Sequence, residues 1–184
     1  MRRSAKTGCK VGQSYRKHHN DQNRDGHETV EMKLPHMEAI IFCGIQATGK
    51  STFYVERFFN SHVRISLDLL CTRYRENLFL HACLESQQPF VIDNTNVTKA
   101  ERAKYVTHAK TAKYQVICYY FQSKIADALE RNAKRIGKTK IPVPGVKGTF
   151  NRLEIPTIDE GFDQMYYVEI TNMGFQVNGW QDEI

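Results

Sequence analysis

The chain has 184 residues, 41% of them hydrophobic, and a formal net charge of +6. This length predicts one domain with a sizeable core. No apolar stretch approaches the roughly 20 residues that span a bilayer, and the N-terminus is too polar for a signal peptide, so we expect a cytoplasmic protein without membrane attachment. The five cysteines form no C-x-x-C pair, which argues against a disulfide framework or a zinc site. The four from Cys43 onward lie in apolar segments and are expected to be buried.

The first 36 residues differ from the rest of the chain. They carry eight Lys or Arg against four Asp or Glu, and four histidines, but almost no apolar residues and no periodicity. We expect this basic leader to be disordered and dispensable. One hypothesis is that it is a non-native extension from an upstream start codon. His18 and His19 lack the spaced second pair of a metal site. The domain at 37–184 holds eighteen basic against sixteen acidic residues, so its charge supports a polyanionic partner only weakly.

The first predicted strand leads into a phosphate-binding sequence. The apolar run 40–43 is followed by a full G-x-x-x-x-G-K-S pattern and by a segment, 51–59, that can continue as a helix. Glycines let backbone N–H groups point inward, and the helix N-terminus adds partial positive charge. The lysine of this pattern reaches the β- and γ-phosphates, and the serine hydroxyl ligates Mg²⁺. The residues predicted to bind ATP and Mg²⁺ are Gly44, Ile45, Gln46, Ala47, Thr48, Gly49, Lys50, Ser51 and Thr52.

The remaining segments alternate between strand and helix patterns. Strands are predicted at 63–66, 89–93, 114–121 and 165–170, and helices at 67 to about 85, 98 to about 112 and 123 to about 135. In the helix from 67, Leu69, Leu70, Leu78 and Leu80 are available to cover a sheet. The Pro- and Gly-rich segment 137–148 has the composition of a mobile lid, with irregular chain after it. Repeated strand–helix units predict an α/β fold: a P-loop NTPase three-layer α/β/α sandwich with a mostly parallel central sheet and a helical lid.

Two carboxylates follow predicted strands, at the edge where parallel sheets bind ligands. Asp93 closes an apolar strand, where a carboxylate holds Mg²⁺ in P-loop proteins, although its sequence also fits an Asx-turn with Asn94. Asp68 lies beside a helix N-terminus. It is either a charge favoured by the helix dipole or a general base that accepts a proton from a substrate hydroxyl, and the residues alone leave both open.

Three cations share one face of the helix before the predicted lid. Arg131, Lys134 and Arg135 are spaced i, i+3 and i+4. Such a face is often only solvated, but kinases need lid cations over the γ-phosphate to neutralise charge in the transition state. Arg135 is the first candidate for this catalytic role, and Arg131 is the second, as a nucleotide-binding residue.

Together these residues resemble the 5′-kinase module of polynucleotide kinases and related bacterial kinases, within the P-loop kinase superfamily. The likeness covers nearly all of 37–170, and its patches follow the order of that family. They are 44–52, Ile65-Ser66-Leu67-Asp68, the D-N-T-N run 93–96 with Arg102 and Tyr105, Arg131-Asn132-x-x-Arg135, and the P-T-x-x-E-G-F run 156–162. The D-N-T-N and P-T-x-x-E-G-F runs are much more specific than the P-loop.

The resemblance implies transfer of the ATP γ-phosphate to a 5′-hydroxyl end of RNA or DNA. It implies that Asp68 is the general base and that Arg135 is the lid arginine on the transferring phosphate. The residues that this likeness assigns to acceptor binding are Asn94, Asn96 and Arg102.

Two departures from the family affect the acceptor. Ser66-Leu67-Asp68 stands where the family often has Asn-Arg-Asp, so one cation beside the base is missing. The arginine that grips the acceptor's 3′-phosphate in the phage enzyme falls on Cys71. Arg73 or Arg75, along the predicted helix, is expected to substitute for it.

Two other functions fit the residues. A kinase for a small hydroxyl acceptor, such as a nucleoside, a sugar or an antibiotic, is favoured by the near-neutral domain and by Leu67. A nucleotide-dependent switch without transferase activity needs no acceptor base, so Asp68 argues against it. The oligomeric state and the choice between RNA and DNA cannot be predicted from the sequence.

Overall fold

The computed structural model describes residues 37–181 of the chain, so the predicted leader lies outside the described residues. The strands are β1 Glu38–Cys43, β2 Val63–Ile65, β3 Phe90–Ile92, β4 Gln115–Phe121, β5 Gln164–Thr171 and β6 Gly174–Gly179. They form one sheet in the order β2-β3-β1-β4-β5-β6, in which β6 is antiparallel to β5 and all other pairs are parallel. The helices are α1 Lys50–Arg57, α2 Leu67–Leu70, α3 Arg73–Ser86, α4 Lys99–Thr111, α5 Ile125–Ala133 and α6 Val143–Asn151.

The core lies on both faces of β1, the central strand, whose residues 39–43 are almost completely buried. Successive side chains of a strand point to opposite faces. Ile41 therefore packs in a cluster with residues of α3 and α4, whereas Phe42 contacts Phe53 of α1 and Phe121 of β4, at ring-centroid distances of 5.9 and 5.0 Å. Helices thus cover both faces, and the predicted α/β/α fold is confirmed. None of the helices within 37–181 combines the length and the apolar character that a membrane span requires.

The strand order brings three loops together. β3 pairs with both β1 and β2, and Ile92 lies in register with Ile41 and Ile65. The chain therefore leaves β1, β2 and β3 at neighbouring points of the same sheet edge. This edge carries the glycine-rich loop, Asp68 and Asp93.

The helix predicted from 67 to about 85 is in fact two helices. Cys71 has a left-handed backbone conformation, with φ of 65°, and ends α2 after a single turn. Thr72 then caps α3, because its hydroxyl oxygen accepts a hydrogen bond from the backbone N–H of Arg75. As a result Leu69 and Leu78 are exposed instead of covering the sheet, and Cys71 is exposed instead of buried.

Two C-terminal features also differ from the prediction. Part of the expected lid and irregular chain is α6, which has a proline in its first turn, where the missing N–H is tolerated. Asn132 of α5 ties this region down, since its amide donates to Ile141 O at 2.7 Å and accepts from Ile141 N at 3.0 Å. Strand β6 is not among the predicted strands; the chain turns back through Gly174, with φ of 109°, and β6 pairs with β5.

Candidate active site

The glycine-rich loop bends sharply before α1. Gly44, Ala47 and Gly49 all have positive φ, of 146°, 61° and 89°. A Cβ atom on Gly49 would lie 2.8 Å from the ring of Phe175 in β6, so only glycine fits there. The loop thereby delivers the N-terminus of α1 to the sheet edge, where backbone N–H groups and the helix dipole suit phosphate oxygens.

The ammonium of Lys50 is folded back onto this loop. It donates hydrogen bonds to Gly44 O at 2.8 Å, to Ile45 O at 2.5 Å and to Thr48 Oγ1 at 3.2 Å. Burial lowers the pKa of Lys50 to about 8, although the nearby Asp93 carboxylate works in the opposite direction. The ammonium is therefore mostly charged at neutral pH, with three N–H donors to exchange for phosphate oxygens.

Ser51 and Asp93 meet at the same edge, although they are 42 residues apart in the chain. Ser51 Oγ donates to Asp93 Oδ2 at 2.8 Å. The backbone N–H of Asp93 donates to Ile65 O at 2.9 Å, which extends the pairing of β3 with β2 and fixes the position of the carboxylate. A hydroxyl oxygen and a carboxylate oxygen are the hard donors that Mg²⁺ takes, so this pair fits the predicted metal role.

A third group at this position, Arg64 of β2, was not predicted. Its Nε and Nη2 atoms donate to Asp93 Oδ2 at 2.8 and 2.5 Å, and Nη2 also donates to Ser51 Oγ at 3.0 Å. Arg64 lies in register with Val91, two residues before Asp93, so the period of the strands puts Arg64 and Asp93 on one face. The contact could be predicted from this register, but the sequence alone does not show that β2 and β3 are neighbouring strands.

A single cleft of about 760 Å³ contains both the glycine-rich loop and Asp68. Asp68 lies in the first turn of α2, with its side chain exposed. The cleft is lined by loop residues 46–52 and, among others, by Asp68, Asp93 and Arg135. The predicted base and the predicted phosphate cradle therefore share one cavity.

Asn94 fixes the start of the helix that carries Asp68. Asn94 Oδ1 accepts a hydrogen bond from the backbone N–H of Leu67, at 2.8 Å, and its Nδ2 donates to Glu76 Oε1 at 2.7 Å. The amide that was predicted to contact the acceptor is thus engaged within the protein. Asn94 lines the cleft, but its contacts are those of a positioning residue.

Glu76 of α3 is the centre of a hydrogen-bond network that includes Asn94, Tyr105 and Arg73. Its fully buried carboxylate accepts from Tyr105 Oη at 2.6 Å and from Arg73 Nη1 at 2.8 Å. Burial acts to raise the pKa of Glu76, but the hydrogen bonds from Tyr105 and Arg73 and the charge of Lys104 outweigh it and lower the pKa. Arg73, predicted to contact the acceptor, is therefore charge-paired, although it is half exposed and lines the cleft. Arg75 is exposed on α3, and its predicted acceptor contact stays a prediction.

Two other predicted acceptor contacts are internal. Arg102 has no exposed surface, because Nε and Nη2 donate to the Glu160 carboxylate at 2.7 and 2.6 Å and Nη1 donates to Asn96 O at 3.1 Å. Asn96 is buried, with φ of 45°, and its Nδ2 donates to Phe42 O at 2.7 Å. Arg102 is therefore bonded to Glu160 and the Asn96 amide to β1, and the acceptor contacts predicted for these two residues stay predictions. Through these hydrogen bonds, Arg102 connects Asn96 of the D-N-T-N run to Glu160 of the P-T-x-x-E-G-F run, and Asn96 connects that run to β1.

The two candidate arginines near the end of α5 have different surroundings. Arg131 Nε donates to Ala47 O at 2.7 Å, which supports the glycine-rich loop from outside. Arg135 follows α5, donates weakly to Thr139 O at 3.3 Å and lines the cleft. After burial, which is the main cause, the charge of Arg135 also acts to lower the pKa of Lys50, as expected of two cations that line the same cleft. Arg135 is the better placed of the two for a catalytic role.

Comparison with known proteins identifies the family of the chain. A family profile described as an AAA domain matches residues 40–153. The bifunctional polynucleotide phosphatase/kinase of Schizosaccharomyces pombe is 26% identical over 145 residues, which are 77% of this chain and 36% of that protein. The predicted resemblance to polynucleotide kinases is confirmed by this relative, of whose length the chain spans about a third.

Solved structures show the same fold. Chaetomium thermophilum Kti12, in complex with ADP-AlF3, is 15% identical with a TM-score of 0.56, over 73% of this chain and 92% of that one. A gluconokinase from Sinorhizobium meliloti 1021 is 18% identical with a TM-score of 0.53, over 75% of this chain and 84% of that one. At these identities the likeness shows the fold alone.

Proposed function

The chain belongs to the AAA domain family and has a P-loop kinase-like fold, and from that premise we propose that it transfers the γ-phosphate of ATP to a 5′-hydroxyl end of a polynucleotide. One observation carries the proposal. The cleft that holds Lys50 and the Ser51–Asp93 pair also holds an exposed carboxylate, Asp68, and a lid-side guanidinium, Arg135. A protein that only binds nucleotide has no use for a base at that position.

On the phosphate side, the protein supplies position and positive charge. Backbone N–H groups at the start of α1 hold the β- and γ-phosphate oxygens. The Lys50 ammonium leaves the carbonyl oxygens of Gly44 and Ile45 for those phosphates. When bound by Ser51 and Asp93, Mg²⁺ supplies further neutralisation of phosphate charge. These groups act without covalent participation, as phosphoryl transfer requires.

On the acceptor side, Asp68 handles the proton. The acceptor oxygen forms a bond to the γ-phosphorus while the bond from that phosphorus to the β–γ bridging oxygen breaks, and the hydroxyl proton passes to the Asp68 carboxylate. Arg135 neutralises the charge that is shared among the γ-phosphate oxygens during this step. Asn94 holds Leu67, and hence the first turn of α2, so that the carboxylate keeps its place.

The polynucleotide acceptor is supported by the Schizosaccharomyces pombe relative, whose name states a polynucleotide kinase activity beside a phosphatase activity. A small hydroxyl acceptor is the second candidate, and a specific observation favours it. Of the three arginines predicted to contact the acceptor, Arg102 is buried and Arg73 is paired with Glu76, so these two offer little unpaired positive charge to a polyanion. Arg75 is the exposed member of that set.

The deciding experiment uses ATP labelled at the γ-phosphate. The protein is incubated with Mg²⁺ and a panel of 5′-hydroxyl RNA and DNA oligonucleotides, nucleosides and sugars, beside the Asp68→Asn variant. We expect label on oligonucleotide 5′ ends that depends on Asp68. Label on a small alcohol alone would establish the second candidate, and no labelled acceptor in any arm would contradict the kinase proposal.

A further inference from the structure

Arg64 places a positive charge where a metal ion is expected. Its Nη2 atom lies 3.0 Å from Ser51 Oγ and 2.5 Å from Asp93 Oδ2, and Nε lies 2.8 Å from the same carboxylate oxygen. Ser51 and Asp93 are the two side chains that the proposed function assigns to Mg²⁺. The guanidinium therefore binds both of the side chains that the metal would use.

The guanidinium is held in this position from several sides. It lies over the ring of Tyr54 in α1, with 5.6 Å from its central carbon to the ring centroid, a cation–π distance. Tyr54 is itself fixed, because its hydroxyl donates to His62 O at 2.8 Å. The Arg64 side chain is only 30% exposed, and its backbone is part of β2. These contacts restrict the Arg64 side chain to this position, unlike a side chain that moves freely on the surface.

Counting hydrogen-bond capacity shows what the metal would meet. A serine hydroxyl has one donor and two lone pairs. Ser51 Oγ donates to Asp93 and accepts from Arg64, which leaves one lone pair. Asp93 Oδ2 accepts from Ser51 Oγ and from both Arg64 atoms. The charges of Arg64 and Asp93 also cancel, so a free divalent cation gains little attraction from the pair.

We infer that Arg64 is a resident cation of the metal position, which holds Ser51 and Asp93 in their binding arrangement and competes with free divalent cations for them. We expect this competition to end when nucleotide binds. Arg64 neutralises the charge of Asp93, and the triphosphate supplies new negative charge that attracts the metal ion. Metal is then bound together with ATP rather than before it. This inference rests on the proposed function only in assigning Ser51 and Asp93 to the metal, and it is independent of the acceptor.

The test measures binding of Mn²⁺ alone to nucleotide-free protein, from the decrease of the free-ion electron paramagnetic resonance signal. Arg64→Gln removes the charge but keeps a side chain of similar length that can donate. We expect it to bind Mn²⁺ about tenfold more tightly than the wild type. The matched control is Arg57→Gln, which removes the same charge from the exposed end of α1 and should leave Mn²⁺ binding unchanged. Equal or weaker binding in Arg64→Gln overturns the inference.

A second pair of measurements separates this inference from the proposed metal role. Asp93→Asn should weaken ATP binding in the presence of Mn²⁺ by more than it weakens binding without metal. If it does not, the assignment of Asp93 to the metal fails, whatever Arg64 does. If it does, and Arg64→Gln leaves Mn²⁺ binding unchanged, only the inference about Arg64 fails.

The wild-type protein provides the test if Arg64→Gln does not fold. The Nε–H resonance of Arg64 should shift when Mg²⁺ and ATP are added together, because Ser51 and Asp93 are then shared with the metal. Mg²⁺ alone at the same concentration should leave the resonance in place. A resonance that shifts fully with Mg²⁺ alone contradicts competition by Arg64.

Discussion

The two sides of the cleft are assembled in different ways. The phosphate side is local, since residues 44–52 form the loop and the first turn of α1 in one continuous stretch. The acceptor side is built from distant parts of the chain. Asp68 lies on a one-turn helix that is held by Asn94, which is held in turn by the buried Glu76 of α3.

This difference changes what family likeness means on each side. On the phosphate side, the shared residues Lys50 and Ser51 face the cleft. On the acceptor side, the shared residues Asn94, Asn96 and Arg102 are bonded to the protein itself. Likeness in the D-N-T-N run therefore indicates a common framework around Asp68. It says little about the molecule that the framework receives.

The largest effect is expected on the phosphate side. Lys50→Ala removes the buried ammonium that we propose neutralises the β- and γ-phosphates, and we expect turnover to fall by about 10⁴-fold with folding preserved. Steady-state kinetics with the labelled acceptor measure the loss, and circular dichroism checks the fold. Lys147→Ala, in the exposed part of α6, should keep normal turnover. A Lys50→Ala rate near the wild-type rate would mean that the local motif does not bind the reacting phosphate.

Asp68→Asn tests whether the acceptor side has a base. An amide cannot accept the hydroxyl proton, so we expect kcat to fall by about 10³-fold with little change in the KM for ATP. The control is Asp127→Asn, which lies in the first turn of α5 as Asp68 lies in the first turn of α2. If both variants lose only a little activity, Asp68 is a helix-dipole charge and nothing more.

Arg102→Ala tests whether Arg102 has a structural role instead of a role in acceptor binding. Removing it leaves the buried Glu160 carboxylate without its partner, and we expect the free energy of unfolding to fall by about 3 to 5 kcal/mol. Urea denaturation measures this change. Arg152→Ala removes a mostly exposed arginine, 3.9 Å from Glu101, and should cost under about 1 kcal/mol. Unchanged stability with a raised acceptor KM would return Arg102 to substrate binding.

The pH dependence of ATP binding tests whether the charged form of Lys50 binds the phosphates. Since the pKa of Lys50 is lowered to about 8 in the nucleotide-free protein, and phosphates favour its charged form, binding requires the protonated amine. Affinity should be steady below pH 8 and should fall as pH rises through that value, by up to about tenfold per pH unit. Isothermal titration calorimetry from about pH 7 to about pH 10 follows the change. In Lys50→Met this fall should disappear, and a fall that remains must come from another group.

Local patterns predicted most of this molecule, and contacts between distant segments account for the rest. The P-loop, β4 and the capped start of α4 were predictable because the deciding residues are neighbours in sequence. The break at Cys71 was not, because a left-handed backbone conformation is unfavourable for a cysteine and its local sequence does not indicate one. The contact of Arg64 with Ser51 and Asp93 depends on the register of β2 on β3. The burial of Arg102 likewise depends on Glu160, 58 residues away.

The smallest effect is expected at Arg75, where it decides between the two acceptors. Arg75 is exposed on α3, beyond the Glu76 network that neutralises Arg73. If the acceptor is a polynucleotide, Arg75→Gln should weaken its binding about threefold and reduce the slope of log affinity against log salt by about 1. Fluorescence anisotropy of a labelled 5′-hydroxyl oligonucleotide across a salt series measures both. Arg57→Gln, which removes an equal charge from α1, should leave the slope unchanged. A polyanion releases counterions from the cations that it contacts, so an unchanged slope means that Arg75 makes no phosphate contact, and oligonucleotide binding that does not depend on salt at all would favour a small acceptor.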